Sequence, residues 1–229
     1  MIVIVDCHVA ARNGTADEFH AMLQRLAQSR EDLVFLGDTF ELWIALRAYE
    51  DELHRRFLAW CVRQKGERSV GFVEGNHEFF VAEERGGCFS WCVPEARQEP
   101  GGLLLVHGDL IDRRDRGYRL LRRVSKSRLM KLALRCFPPG GKALVALASR
   151  SLAFRGRKAL PEQELRRFAE ATFARDARTI LTGHFHRSYL YRRADGRCLH
   201  TVPAWRDSRA VVRLDSSSHE FAILRWQEV

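Results

Sequence analysis

Five short apolar runs, at residues 2–5, 33–36, 70–73, 103–106 and 179–181, each hand over to side chains of the kind that bind metal ions. The first run ends in Asp6-Cys7-His8 and the second in Gly37-Asp38-Thr39-Phe40-Glu41. The third leads into Gly75-Asn76-His77-Glu78, the fourth into His107-Gly108-Asp109 and the fifth into Gly183-His184-Phe185-His186. Uninterrupted apolar runs of this length suit strands buried on both faces of a layered α/β fold. In open α/β sheets, sites form beyond the carboxyl ends of the strands. Five distant segments can therefore converge on one place.

The sequence between the runs supports alternation of strand and helix. Thr15-Ala16-Asp17-Glu18 has the form of a capping box, and Phe19, Met22, Leu23 and Leu26 follow at helical spacing, which predicts a helix over 16–28. A second helix is predicted over about 49–65, burying Leu53, Phe57, Trp60 and Cys61. From about 117 to 177 the chain reads as helices, broken at Pro138-Pro139-Gly140-Gly141, near Arg155-Gly156 and at Pro161. Leu120, Leu121, Val124, Met130, Leu134 and Phe137 give that segment an apolar face. It is read as a helical cap inserted at about 112–177 into a single domain spanning 1–229. Four further strand-like runs, 188–193, 198–203, 209–214 and 219–226, suit a largely antiparallel second sheet.

Charge is unevenly distributed. The formal net charge is +9, yet residues 110–175 hold 18 Lys/Arg against 5 Asp/Glu, while the remainder holds 20 against 24. A basic segment of this kind can face nucleic acid, anionic lipid or a phosphorylated substrate. Its interspersed Leu129, Leu132, Leu144, Val145, Leu147 and Leu152 favour an anionic lipid surface over nucleic acid, with packing among the helices as the plainer alternative. No run reaches the roughly 18 apolar residues of a membrane span. The six cysteines are scattered, and Cys88 and Cys92 have no second pair to complete a zinc site, so free thiols in a reducing cytosol are expected. Met1 runs straight into the first apolar run, so no leader peptide is expected.

The ligand types define a chemistry. Asp6 and His8 sit two apart and, in an extended segment, would point the same way, as would His184 and His186. Asp38 offers two oxygens and could bridge two ions, while Asn76 supplies a neutral carbonyl oxygen. Mixed nitrogen and oxygen ligation without thiolate favours Mn²⁺, Fe or Zn²⁺ over Ca²⁺. Two such ions can grip phosphoryl oxygens and acidify a water. Five of the nine histidines fall in these motifs; His20, His54, His200 and His219 are read as structural, and Cys7 as core.

The series D-x-H, G-D, G-N-H-[D/E], H-G-D, G-H-x-H resembles the calcineurin-like metallophosphoesterases over nearly the whole chain. The resemblance implies a four-layer α/β/β/α sandwich carrying two divalent metal ions, most readily Mn²⁺. It puts Asp6, His8, Asp38 and His186 on one ion and Asp38, Asn76, His107 and His184 on the other. It makes His77 the group that contacts the phosphate, with Glu78 orienting it and Asp109 behind the ligands. Gly37-Asp38-Thr39-Phe40-Glu41-Leu42-Trp43, Asp115-Arg116-Gly117-Tyr118 and the run ending Pro203-Ala204-Trp205 are similar, more narrowly, to the UDP-2,3-diacylglucosamine pyrophosphohydrolases of lipid A synthesis. That likeness implies a nucleotide-lipid substrate cleaved to UMP and lipid X, Asp115 and Tyr118 near the sugar, Arg157 and Lys158 near phosphate, and a cytoplasmic enzyme peripheral on an anionic inner-membrane surface. The narrower family carries G-N-R-D where this chain has Gly75-Asn76-His77-Glu78. A soluble phosphatase or phosphodiesterase of the wider family, and a non-catalytic metal-binding scaffold, are the alternative readings.

Overall fold

The structure is a computed structural model that describes residues 1–137, 160–215, 218 and 220–229. Its strands are β1 (Ile2–Ile4), β2 (Leu33–Leu36), β3 (Trp43–Ile44), β4 (Val70–Val73), β5 (Glu78–Phe79), β6 (Trp91–Val93) and β7 (Ala96–Glu99). They continue with β8 (Leu103–Val106), β9 (Thr179–Thr182), β10 (Tyr189–Arg192), β11 (Cys198–Thr201), β12 (Ala210–Leu214) and β13 (Phe221–Arg225). The helices are α1 (Thr15–Leu26), α2 (Glu52–Gln64), α3 (Val81–Arg85), α4 (Arg116–Ser125), α5 (Arg128–Cys136), α6 (Glu162–Phe173) and α7 (Trp205–Ser208). One sheet has the order β13-β12-β1-β2-β4-β6, the second β10-β11-β9-β8-β7, and β3 pairs with β5 alone.

Side-chain alternation along the buried strands builds the layers. Ile2, Ile4, Leu33 and Phe35 share a core with Phe19, Met22, Leu23 and Leu26 of α1 and Phe57, Trp60 and Cys61 of α2. Their neighbours Val3, Val5, Val34 and Leu36 face the other way, into a core shared with Leu103, Leu105 and Leu181 of the second sheet. Beyond that sheet, Leu104 and Ile180 pack with Leu165, Ala169 and Phe173 of α6. The result is a four-layer α/β/β/α sandwich, because each central strand has apolar residues on both of its faces.

Several expectations are corrected. The four late strands do not form one antiparallel sheet: β10 and β11 join the second sheet, whereas β12 and β13 join the first through an antiparallel pairing of β12 with β1. Moreover β11 runs parallel to β9. The capping box at Thr15 does not form. Gly14, at φ 70°, precedes α1, and Glu18 is drawn instead to Arg209 Nε at 2.6 Å. A capping box does form on α2, between Asp51 and His54. Within the expected cap at 112–177, α6 belongs to the outer layer of the sandwich, and among the described residues the helices beside the ligand-bearing loops are α4 and α5. Leu134 and Met130 of α5 pack on Ile44, Leu46 and Phe80, but Leu129 and Leu132, expected at burial spacing, are 80% and 59% exposed. Leu144, Val145, Leu147 and Leu152, like the helix breaks at Pro138-Pro139 and Arg155-Gly156, lie outside the described residues, as does His219.

Candidate metal centre

The five post-strand segments meet at one place, and the backbone there is not extended. Asp6 (φ 51°), His8 (φ 45°), Asp38 (φ 51°), His184 (φ 68°) and His186 (φ 54°) all adopt the left-handed conformation. The i, i+2 geometry expected for Asp6/His8 and His184/His186 is therefore replaced by a tight reversal at each residue. For residues with a Cβ this costs about 1–3 kcal/mol each and persists only where the surroundings over-determine it. They do so here. Asp6 N donates to Gly37 O at 3.2 Å, His8 N to Asp38 O at 2.9 Å, and Gly183 N to His107 O at 2.9 Å. His184 N donates to Asp6 Oδ2 at 2.7 Å and His77 N to Asp38 Oδ1 at 2.9 Å.

Glycine supplies the close approach. A Cβ at Gly75 would overlap Asp38 Oδ1 and stand against His107 Nε2.

Among the described residues, three groupings have their ligand atoms within 4.8 Å of one another: Asp6, His8 and His186; His8, Asp38 and His77; and Asp38, His107 and His184. Asp38 stands at the centre. Its Oδ2 lies 3.7 Å from Nε2 of His8, 3.7 Å from Nε2 of His77 and 3.4 Å from Nε2 of His107. His8 Nε2 and His186 Nε2 are 3.2 Å apart, and His107 Nε2 is 3.2 Å from Asn76 Oδ1. His107 Nδ1 donates to Leu36 O at 3.1 Å, which turns Nε2 toward Asp38. His186 Nδ1 faces Asp207 Oδ2 at 3.3 Å. Carbonyl or carboxylate partners on the far ring nitrogen orient histidines that ligate metals.

The electrostatics call for a cation. Asp6 and Asp38 are essentially inaccessible to solvent, and Asp6 Oδ1 has no hydrogen-bond partner. A buried carboxylate oxygen without a donor is costly unless a positive charge sits beside it. Burial pushes the Asp6 pKa up to about 8, opposed by the His107 imidazole 3.8 Å from Oδ1 and reinforced by Asp38, so one imidazole does not offset the burial of both carboxylates. Burial opposes charge on His107 as well, but Asp38 and Asp6 outweigh it and lift the imidazole to about 10. His184 falls to about 4, chiefly by burial, and burial also lowers His8 and His186, so these rings present neutral nitrogens. Nitrogen and oxygen donors with an orphaned carboxylate oxygen fit a divalent ion of the Mn²⁺, Fe or Zn²⁺ type.

Residues around this cluster take roles that differ in part from expectation. Glu78 does not orient the His77 ring. Its Oε2 accepts from the N–H groups of Asp38 and Gly75, both at 2.8 Å, and Oε1 from Thr39 at 2.7 Å, so it ties two loops together through their backbones. The His77 ring is set by Nδ1, which donates to Glu41 O at 2.5 Å. Asp109 accepts from the Tyr118 hydroxyl at 2.5 Å and lies 2.6 Å from Arg122 Nε. Tyr118, expected at the sugar, is thus buried with its hydroxyl committed, and Asp115 caps α4 through Tyr118 N at 2.9 Å. Arg157 and Lys158 lie outside the described residues. Asp207, Arg122 and Lys126 have no counterpart among the sequence motifs, since nothing in their local spacing ties them to partners 13 to about 50 positions away.

A family model for the calcineurin-like phosphoesterases matches residues 1–188. A UDP-2,3-diacylglucosamine hydrolase of Ectopseudomonas mendocina is 30% identical over 206 residues, 83% of each chain. The enzyme of that name from Stutzerimonas stutzeri is 31% identical over 146 residues, 60% of each chain. Among solved structures, a conserved Streptococcus pneumoniae protein described as a predicted phosphoesterase is 16% identical, with a TM-score of 0.45 over 99% of this chain and 88% of that one.

Proposed function

This chain belongs to the calcineurin-like phosphoesterases, and from that premise we propose that it hydrolyses UDP-2,3-diacylglucosamine to UMP and 2,3-diacylglucosamine 1-phosphate. The observation that carries a metal-dependent phosphoesterase chemistry is the convergence of three imidazole Nε2 atoms on Asp38 Oδ2, at 3.4–3.7 Å, beside the orphaned Oδ1 of Asp6. In this reading Asp6, His8, Asp38 and His186 would hold one divalent ion, and Asp38, Asn76, His107 and His184 a second, with Mn²⁺ the favoured metal. What such ions supply when bound is Lewis acidity toward phosphoryl oxygens and a more acidic attacking water.

The protein's own groups do the rest. His77 is half-buried, and the Glu41 carbonyl holds its Nδ1 proton, which leaves Nε2 to carry and donate a proton to a phosphoryl or leaving oxygen. Glu78 fixes the backbone from which Asp38 projects. The nucleotide-lipid substrate is supported by the names of the relatives and by the cap. Leu120, Leu121, Val124, Leu129, Leu132 and Phe137 point outward there, 49–80% exposed, among Arg116, Arg119, Arg123 and Arg128. Exposed apolar side chains set in a cationic helical surface suit acyl chains and an anionic inner-membrane face. No helix among the described residues is long and apolar enough to cross a membrane.

The test is Mn²⁺-dependent release of UMP from UDP-2,3-diacylglucosamine, run beside p-nitrophenyl phosphate and bis-p-nitrophenyl phosphate, with sedimentation on anionic vesicles as a second arm. UMP release and vesicle binding are expected. Turnover of the small esters alone, with no vesicle binding, would assign a soluble phosphoesterase of the same family.

Metal loading should depend on pH. Against the effect of burial, Asp38 and Asp6 raise the His107 imidazole to about 10, so an ion that takes Nε2 must displace a proton. Asp6, raised to about 8 chiefly by burial, must give up a proton as well, so Mn²⁺ affinity should rise by at least about tenfold per pH unit between pH 7 and 9, with proton release on binding. Calorimetry in buffers of different ionisation enthalpy reads this directly; affinity that does not change across that range would contradict the assignment of His107 as a ligand.

A further inference from the structure

Helix α4 is built inside out. Leu120, Leu121 and Val124 face solvent at 65%, 49% and 49% exposure, while a polar stripe at Tyr118, Arg122 and Lys126, the last at the C-cap, turns inward. These three residues recur every fourth position and so share one helix face. Each reaches a loop that carries candidate ligands. Arg122 Nε lies 2.6 Å from Asp109, two residues after His107, and the Tyr118 hydroxyl donates to the same carboxylate. Lys126 Nζ donates to Gly75 O at 2.8 Å and to Glu74 Oε2 at 3.1 Å, immediately before Asn76 and His77. The side chains of Arg122 and Lys126 are only 10% and 14% exposed.

We infer that α4 is a positioning element for the hydrolytic site: Lys126 and Arg122, one turn apart, hold the Gly75-Asn76-His77 loop and the His107-Gly108-Asp109 loop in their working relation. Simple docking of the cap does not require this stripe. The cap is also attached through α5, where Leu134 and Met130 pack on Ile44 and Phe80, and Lys131 and Arg135 pair with Glu84, each at 2.6 Å. Those attachments touch neither loop. The Gly75 peptide, by contrast, has no slack. It sits so close to Asp38 Oδ1 and His107 Nε2 that not even a Cβ fits, so a shift of its carbonyl changes the distances among Asp38, Asn76 and His107.

The inference rests on the metal-dependent hydrolase reading and not on which phosphoester is cleaved. The experiment therefore uses bis-p-nitrophenyl phosphate or any ester the wild type turns over, together with calorimetric Mn²⁺ uptake, which reads the loops without turnover. Lys126→Met should lower kcat about 10- to 100-fold with KM changed by less than about threefold, and should weaken Mn²⁺ uptake. Lys126→Arg should recover most of both, and Arg135→Ala, which cuts only the α5 attachment, should leave both unchanged. Wild-type kcat and Mn²⁺ uptake in Lys126→Met would overturn the inference, as would an equal loss in Arg135→Ala. Should Lys126→Met not fold, Arg122→Gln is read by the same criteria, and its wild-type behaviour would overturn it equally. Failure of the wild type to release UMP bears on the substrate alone.

Discussion

Replacing Asp38 by alanine removes at least ~10³-fold of the phosphoesterase activity, a loss of about 4 kcal/mol in transition-state stabilisation. The size follows from how much converges on one side chain. Asp38 Oδ2 is faced by His8, His77 and His107 together, at 3.7, 3.7 and 3.4 Å. Its Oδ1 accepts from His77 N at 2.9 Å and so also shapes the turn that presents the His77 ring. Alanine strips an anionic donor shared by both proposed ion positions, and three imidazoles lose the charge that gathers them. Asp38→Asn separates the two effects: it preserves the contact with His77 N but removes the charge, and should be nearly as inactive. The check is kcat together with metal content by elemental analysis. A variant that keeps more than a few per cent of activity with its full metal complement would refute the bridging role.

The second large effect belongs to Glu78. It is wholly buried, and its two oxygens accept three backbone N–H bonds, from Asp38, Thr39 and Gly75. Glu78→Ala leaves three buried donors without partners, at about 1–3 kcal/mol each. Part of that cost is offset, because the Glu78 carboxylate sits in repulsion with Asp38 and its own pKa is raised by burial and by that neighbour. A net loss of at least ~3 kcal/mol is expected, which lowers Tm by about 6–12 °C for a chain of this size. The metal-loaded protein should lose more than the metal-free one, since bound cations cancel the repulsion that offsets the loss. Activity should fall beyond what stability explains, because Asp38 is held at φ 51° by the same bonds. Thermal unfolding with and without Mn²⁺, and kcat measured well below Tm, test both parts. A variant within 1 kcal/mol of wild type would show that water replaces the carboxylate.

The candidate ligands follow a pattern visible in the sequence alone. Asp6, His8, Asp38, Asn76, His107, His184 and His186 were picked out by a local rule, an apolar run followed at once by ligand-type residues, and the structure brings all seven to one cluster. The layers were legible for the same reason: runs such as residues 33–36 are apolar at every position, so both faces must be covered. Spacing misled where the backbone left the extended region. Asp6 and His8 come together through left-handed turns, and no feature of D-x-H distinguishes that from a strand.

Placement of the candidate ligands just beyond strand ends follows from the sequence, because hydrophobic periodicity and ligand chemistry are properties of short segments. Tertiary structure alone decided how the late strands divided between two sheets, what Glu78 holds, and that α4 turns its polar stripe inward and its leucines outward. Those outcomes depend on partners 40 to more than 200 residues away: Glu78 needs the Asp38 backbone, Lys126 needs the Gly75 carbonyl, and β12 needs the free edge of β1. Amphipathic spacing gives the angle between apolar and polar faces of a helix but not which face meets the protein. On α4, Arg122 and Lys126 meet Asp109, Glu74 and the Gly75 carbonyl while Leu120, Leu121 and Val124 stay exposed, and those partners come within reach only in the folded chain.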